Sequence, residues 1–383
     1  MQAQAFPPSP GAHFDRITTE DGLSQNTVTS ILQDSRGFMW FGTADGLNKY
    51  DGYSFTVYRH VPDDPHSLRD NHILNLYEDR SGVLWIGTQA GWLERLDGEN
   101  PDGQGAHFTH YQFDAPVIDL FQGDRGTFWV ATTVALLRFD PELEESNIAW
   151  TQALVSALEP GPDGNMWLGT GDGWLHAYDR EEDLAIPVAI TVPMENHPVT
   201  SLYADQKDSL WIGRRGGGLS RLDLDSGQFT HYRHDPKDPD RLADDLVCLV
   251  YSDQSGELWI STCGSGLDLL DPDTGRFTHF QNIPGDPRSL SDDTVLSIYQ
   301  DRSGVLWVGT LTGGVNKLDL ARPGFEHYRS IAGDPNSLGD DVVLALYQDR
   351  GGMLWIGTRN GLDRLDPETG QWCHCLLYTS DAA

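Results

Sequence analysis

Two tryptophans, two arginines and a recurring set of loop carboxylates and amides are the residues of this chain best suited to binding chemistry. Trp92 and Trp174 stand at loop positions where corresponding segments carry glycine, at Gly218, Gly266 and Gly314. An indole exposed at such a place can stack on the face of a sugar ring. Arg214 and Arg215 replace a recurring Thr and its neighbour, and a guanidinium there can pair with a carboxylate or sulfate through parallel N–H donors. Asn26, Asn71, Asp245 and Asp293 close the polar pairs Gln25-Asn26, Asp70-Asn71, Asp244-Asp245 and Asp292-Asp293. Three of these pairs follow loops of the type Asp286-Pro-Arg-Ser-Leu290. Such side chains can bind sugar hydroxyls or a hard cation such as calcium. Turn capping is the simpler role, because Asp and Asn bond readily to nearby backbone amides.

Catalysis finds no comparable support, and no cofactor or metal is implied. The chain has no G-x-S-x-G elbow, H-E-x-x-H pair or phosphate-binding glycine loop. With 58 acidic residues, carboxylate pairs are too common to point to glycoside hydrolysis. His110, His231, His279 and His327 fall in repeated Phe-x-His-Tyr or Phe-x-His-Phe segments, which reads as an outer-edge feature of the repeat. The four cysteines spell neither a metal site nor a disulfide framework. Cys248 and Cys263 flank one hairpin turn, where they could face each other across it, but two buried free thiols are the preferred reading given cysteine's preference for interiors. A formal charge of -32 excludes nucleic acid as a partner and disfavours anionic lipid surfaces. No apolar run approaches the ~20 residues of a membrane helix, so a membrane would be met only through a downstream segment. Ala3-Gln4-Ala5 has the small-x-small form that ends an export signal, and the start reads as the stub of an exported, periplasmic or otherwise extracytoplasmic protein.

The elements that must position these residues are short strands. Tryptophans 40, 85, 129, 167, 211, 259, 307 and 355 recur at intervals of 38 to 48 residues in segments such as Gly304-Val-Leu-Trp307-Val-Gly-Thr310. That period fits one four-stranded blade of an all-β propeller. Each unit reads as a β-branched first strand (Val295-Leu-Ser-Ile-Tyr299), a polar turn, the Trp strand, a Gly-Leu-x-x-Leu-Asp strand and a Phe-x-x-Tyr strand. The bulky indoles at one strand position are expected to pack neighbouring blades together. Phe14-Asp-Arg-Ile17 matches a fourth strand and can complete the outer edge of the last blade. Residues 1–11 form a Pro-rich lead or signal remnant, 12–328 seven repeats, 329–374 an eighth, and 375–383 a tail unlike the rest. Units three and four are the least regular.

The segment Phe14-Asp-Arg-Ile-Thr-Thr-Glu-Asp-Gly-Leu-Ser24, followed by Asp34-Ser-Arg-Gly-Phe-Met-Trp-Phe-Gly-Thr43, resembles the opening of two-component regulator propeller proteins. The resemblance covers about residues 12 to 372. It implies an extracytoplasmic sensor region of two seven-bladed propellers, set before a membrane helix and a histidine kinase or other output, with dimerisation open to the full-length sensor. Some such regions sense oligosaccharides. The expectation is therefore a seven-bladed propeller whose eighth repeat starts a second, against a single eight-bladed ring. In function it is a sensor for a small-molecule or oligosaccharide ligand, against a propeller lyase or glycosidase or a protein-interaction scaffold.

Overall fold

The computed structural model describes residues 12–99, 105–123, 128–151, 154–161, 166–179, 184–188, 197–205, 208–320, 328, 330, 336–349, 351–366 and 371–375. Among these residues the regular elements are short β-strands, with one 3-10 turn at Thr19–Asp21. The strands pair into eight four-stranded antiparallel sheets. By contact the chain divides into two compact units, residues 1–323 and 324–383.

Seven sheets lie in the first unit. Six of them use four consecutive strands; the seventh uses Val295–Gln300, Val305–Thr310 and Val315–Asp319, and its fourth place is taken by Asp15–Ile17. Ile17 lies opposite Val315 and Asp15 opposite Lys317, so the N-terminal segment closes the seventh blade as its sequence proposes. Of the strand expected at Phe325 to Tyr328, residues 325–327 lie outside the described residues. Inner strands follow one another around the unit, and Val295–Gln300 returns to pack against Val28–Gln33.

The recurring glycine after the marker Trp shows why the blades can approach so closely. A Cβ on Gly42 would sit 2.6 Å from Ile73 of the next inner strand, and one on Gly309 would sit 2.8 Å from Val28. Only a residue without a side chain tolerates both contacts. The second of them joins the seventh blade to the first.

The indoles pack forward onto the next blade: Trp40 against Leu84 and Ile86, Trp85 against Phe128 and Val130. Burying such rings stabilises by roughly 1.5–3 kcal/mol each, but an indole N–H taken out of water needs an acceptor. An aspartate six residues earlier supplies it. Trp40 bonds Asp34 (3.0 Å), Trp85 bonds Asp79 (2.9 Å), Trp211 bonds Asp205 (3.0 Å), Trp259 bonds Asp253 (3.0 Å), Trp307 bonds Asp301 (2.8 Å) and Trp355 bonds Asp349 (2.9 Å). The other carboxylate oxygen caps the polar turn, as when Asp301 accepts from the amides of Ser303 and Val305. A cation from the third strand covers the exposed ring face in several blades, with Lys317 5.0 Å from Trp307 and Arg138 4.9 Å from Trp129.

The second unit contains one sheet, Val343–Gln348, Leu354–Thr358, Gly361–Asp366 and Gln371–Cys375. Its small core gathers Leu338, Ile356 and Leu365. Leu344, Leu346 and Tyr347 of its inner strand are 65–71% exposed. Cys375, assigned from sequence to the unpatterned tail, ends its fourth strand.

Candidate functional site

Loops joining strand two to strand three, and each blade to the next, share one end of the blades. Where the repeat is regular, their polar groups are consumed internally. Asp293 accepts the amide of Asn282 (2.6 Å) through its carboxylate, while its carbonyl accepts the amides of Gly264 and Gly266. Asp245 does the same with the amides of His234 (2.9 Å), Gly216 and Gly218, and pairs with Arg233 at 3.3 Å. Asn71 takes the amide of His60 (2.7 Å) and donates to Asp45 (3.2 Å); Asn26 takes the amide of Thr19 (3.0 Å). All four are half-buried turn caps in this geometry.

A second anchor lies beneath these loops, on the third strand. The buried side chains of Asn48, Glu94, Asp268, Asn316 and Asp363 each accept the amide that follows the loop leucine, at 2.7 to 2.9 Å. His110 bonds Glu94, and His279 donates to Asp268 at 2.7 Å and faces the carbonyl of Pro239 at 2.8 Å. Asp268 holds the His279 imidazole above its ordinary range, and both ring nitrogens lie within hydrogen-bond reach of an oxygen. These histidines therefore clamp the Asp-Pro-x-x-Leu loops onto the blade, a role that a plain edge position does not convey. The signal was present as a buried acid 11 or 16 residues before the His.

Three consecutive junctions, leading into blades three, four and five, lack the Asp-Pro-x-x-Leu segment. There the accounting fails to close. The buried atoms without partners include the indole nitrogen of Trp150, Oγ of Ser156, Nδ1 of His176, and Nε and Nη2 of Arg214. Trp150 and His176 are neighbours, their rings 5.4 Å apart. A cavity of about 330 Å³ opens at this end of the inner strands, lined by Ser156, Pro198, Val199, Thr200, Arg215 and Cys248.

Of the residues singled out from sequence, Arg215 lines that cavity and is exposed, whereas Arg214 is buried on the adjoining position opposite Val199. Trp174 is 50% exposed, with its amide held by the Thr170 hydroxyl at 2.9 Å. Trp92 is half-buried and sits edge-on to the His110 ring, 6.4 Å away. The structure thus brings Arg214 and Arg215 together beside the cavity, while Trp92, Trp174, Asn26, Asn71 and Asp293 belong to the loops of other blades. Asp245 is tied to the Arg214–Gly218 loop through its carbonyl.

Cys248 and Cys263 depart from the expected free thiols. They are half-buried and joined as a disulfide, Cα atoms 5.7 Å apart, at a bulge between Val247 and Leu249. That bulge is repeated in the other inner strands and is invisible to a simple alternation pattern. Among the described residues no group of His, Cys, Asp and Glu is placed to hold a metal ion, and no helix is long and apolar enough to cross a membrane.

The arrangement of four-stranded sheets around shared inner strands defines a β-propeller. Four of its units match the model of the two-component regulator propeller, at residues 22–45, 67–90, 289–312 and 337–360. Over 55 residues, 14% of this chain and 4% of the relative, it is 51% identical to histidine kinase P4 of Formosa agariphila. Among solved structures it is similar to the extracellular domain of the hybrid two component system BT3049 from B. thetaiotaomicron, at 26% identity and a TM-score of 0.72, over 96% of this chain and 49% of that one. The extracellular domain of the one component system BT4673 from B. thetaiotaomicron shares the fold at 21% identity and a TM-score of 0.66, over 94% of this chain and 53% of that one. The chain spans about half the length of both solved domains and a small fraction of the kinase.

Proposed function

We propose that this chain is the extracytoplasmic ligand-binding propeller of a two-component regulator, sensing a small molecule of the oligosaccharide class and leaving the signalling chemistry to other parts of the regulator. The observation that carries this reading is the match of four units to the two-component regulator propeller, joined to a likeness along 96% of the chain to an extracellular domain of a hybrid two component system. The disulfide between Cys248 and Cys263 supports the compartment, since such bonds persist where the surroundings are oxidising. Trp174 offers an open indole face for a sugar ring, and Trp92 a partly covered one.

Isothermal titration of the intact chain against a panel of oligosaccharides tests the proposal, and absence of heat with every member removes the sugar. Trp92→Ala and Trp174→Ala are expected to weaken binding at least tenfold, while Arg241→Ala, on an exposed surface ion pair, leaves it unchanged. Equal effects of all three would remove the aromatic platforms from the site.

A further inference from the structure

The chain carries 58 acidic residues against 26 lysines and arginines. Arg214 and Arg215 both lack an ion pair among the described residues. Arg214 is 2% exposed, and the atoms left without acceptors, Nε and Nη2, form the side-on edge by which a guanidinium grips a carboxylate. Every equivalent position holds threonine: Thr43, Thr88, Thr132, Thr170, Thr262, Thr310 and Thr358. Those hydroxyls close the following hairpin, as Thr310 does by donating to the carbonyl of Gly314 at 2.9 Å. Burial and the neighbouring Arg233 charge both pull the Arg214 pKa down, so the fold holds this cation against its own electrostatics.

The carboxylate nearest this loop, Asp245, is taken up by Arg233 at 3.3 Å. His231, beside Arg214, bonds the neutral hydroxyl of Ser220 (2.9 Å) where Asp268 faces His279 in the next blade. Arg215 meanwhile projects at the cavity wall next to Ser156, whose hydroxyl has no partner. The volume of about 330 Å³ is in the lower range of small-ligand pockets.

We infer that the cavity between the inner strands of blades four, five and six receives an anionic group of the ligand, a carboxylate or sulfate carried on a sugar, with Arg215 as its direct partner and Arg214 as the fixed positive charge behind it. The inference rests on the sensor reading only for the ligand being a sugar; the anion site stands on the two arginines and the cavity.

The test is calorimetric titration of the intact chain with galacturonate oligomers, with neutral galactose oligomers of the same length, and with inorganic sulfate. Acidic oligomers are expected to bind at least tenfold tighter than neutral ones, and Arg215→Ala and Arg214→Thr each to abolish at least tenfold of that difference. Arg214→Thr installs the residue that the other blades use, so it folds, and an unchanged or higher thermal midpoint verifies this. Neutral oligomers binding as well as acidic ones, or both variants retaining the preference, overturns the inference while leaving the sensor reading in place. Silence from all sugars removes the sugar-sensing reading, and sulfate binding that is lost in Arg215→Ala then upholds the anion site on its own. Silence from sulfate and acidic sugars alike overturns it.

Discussion

Removing the carboxylate of Asp301 tests whether the aspartate–indole clamp, rather than the buried ring alone, holds a blade. Asp301 is 6% exposed and receives the Trp307 indole N–H at 2.8 Å, the Ser303 amide at 2.8 Å, the Ser303 hydroxyl at 2.6 Å and the Val305 amide at 3.1 Å. In Asp301→Ala the amide of exposed Ser303 finds water, but the indole of Trp307, 4% exposed, does not. An unsatisfied buried donor costs about 1–3 kcal/mol, and the lost charge-assisted turn bonds add about 1–2 kcal/mol, for an expected loss of about 2–5 kcal/mol. Asp301→Asn keeps one acceptor oxygen and turns an NH2 toward a donor, so about 1–2 kcal/mol is expected. Urea denaturation, with the slope checked for two-state behaviour, measures both against Asp225→Ala on an exposed turn, which should stay within about 0.5 kcal/mol. In a Trp307→Phe background the Asp301→Ala loss should shrink by about 1 kcal/mol or more, because the stranded donor is gone. An Asp301→Ala loss no larger than that of Asp225→Ala would refute the clamp.

Two further predictions concern pH and redox state. Burial raises the Glu159 carboxyl from 4.5 to about 8, so the unfolded chain ionises first and this group's contribution to stability falls as pH rises from 4.5 to 8. At 1.36 kcal/mol per pH unit the full interval is at most about 5 kcal/mol; with the carboxyl partly open to solvent, about 2 kcal/mol is expected. Glu159→Gln, which keeps the bond from the Ala204 amide, should match wild type near pH 4.5 and exceed it by that amount at pH 8 in thermal melts; parallel pH profiles would contradict the assignment. The Cys248–Cys263 bond spans 15 residues, for which chain entropy gives about 3 kcal/mol, so dithiothreitol and Cys248→Ser/Cys263→Ser should lower the unfolding midpoint equally, and an unmoved midpoint under reductant would show that the bond does not form in solution.

Periodicity carried the fold because every blade solves the same packing problem with the same residues. The indole spacing located the strands, and Phe14 to Ile17 announced the N-terminal closing strand. Pair chemistry was less legible. Asp301 reads as a turn residue until the structure shows its second oxygen on Trp307, and His279 reads as an edge residue until Asp268 is seen beneath it. Both partners sit at fixed offsets that amphipathic patterning does not weigh. The free-thiol expectation for Cys248 rested on cysteine's preference for interiors, which does not weigh a partner facing it across the hairpin. For the site, Arg214 and Arg215 were visible as breaks in the repeat, but only burial and hydrogen bonding separate the cation held without a partner from the exposed one at the cavity.

The break at Arg214 involves several positions at once, which argues against a neutral surface change. Losing the threonine removes a hairpin-closing hydroxyl bond of about 1 kcal/mol. Gly217 is needed because a Cβ there would lie 2.7 Å from the Cβ of Arg214, and Gly216 because a Cβ there would press at 3.0 Å on the ring of His197. The same blade has Ser220 where three others place an acid, Glu94, Asp268 and Asp363, and its incoming junction lacks the loop that elsewhere consumes polar groups. Substitution to threonine would restore that hydroxyl bond. A fold that keeps the arginine, the glycines and the neutral hydroxyl together is arranged around a positive charge, and an anion is the group that such a charge is suited to meet.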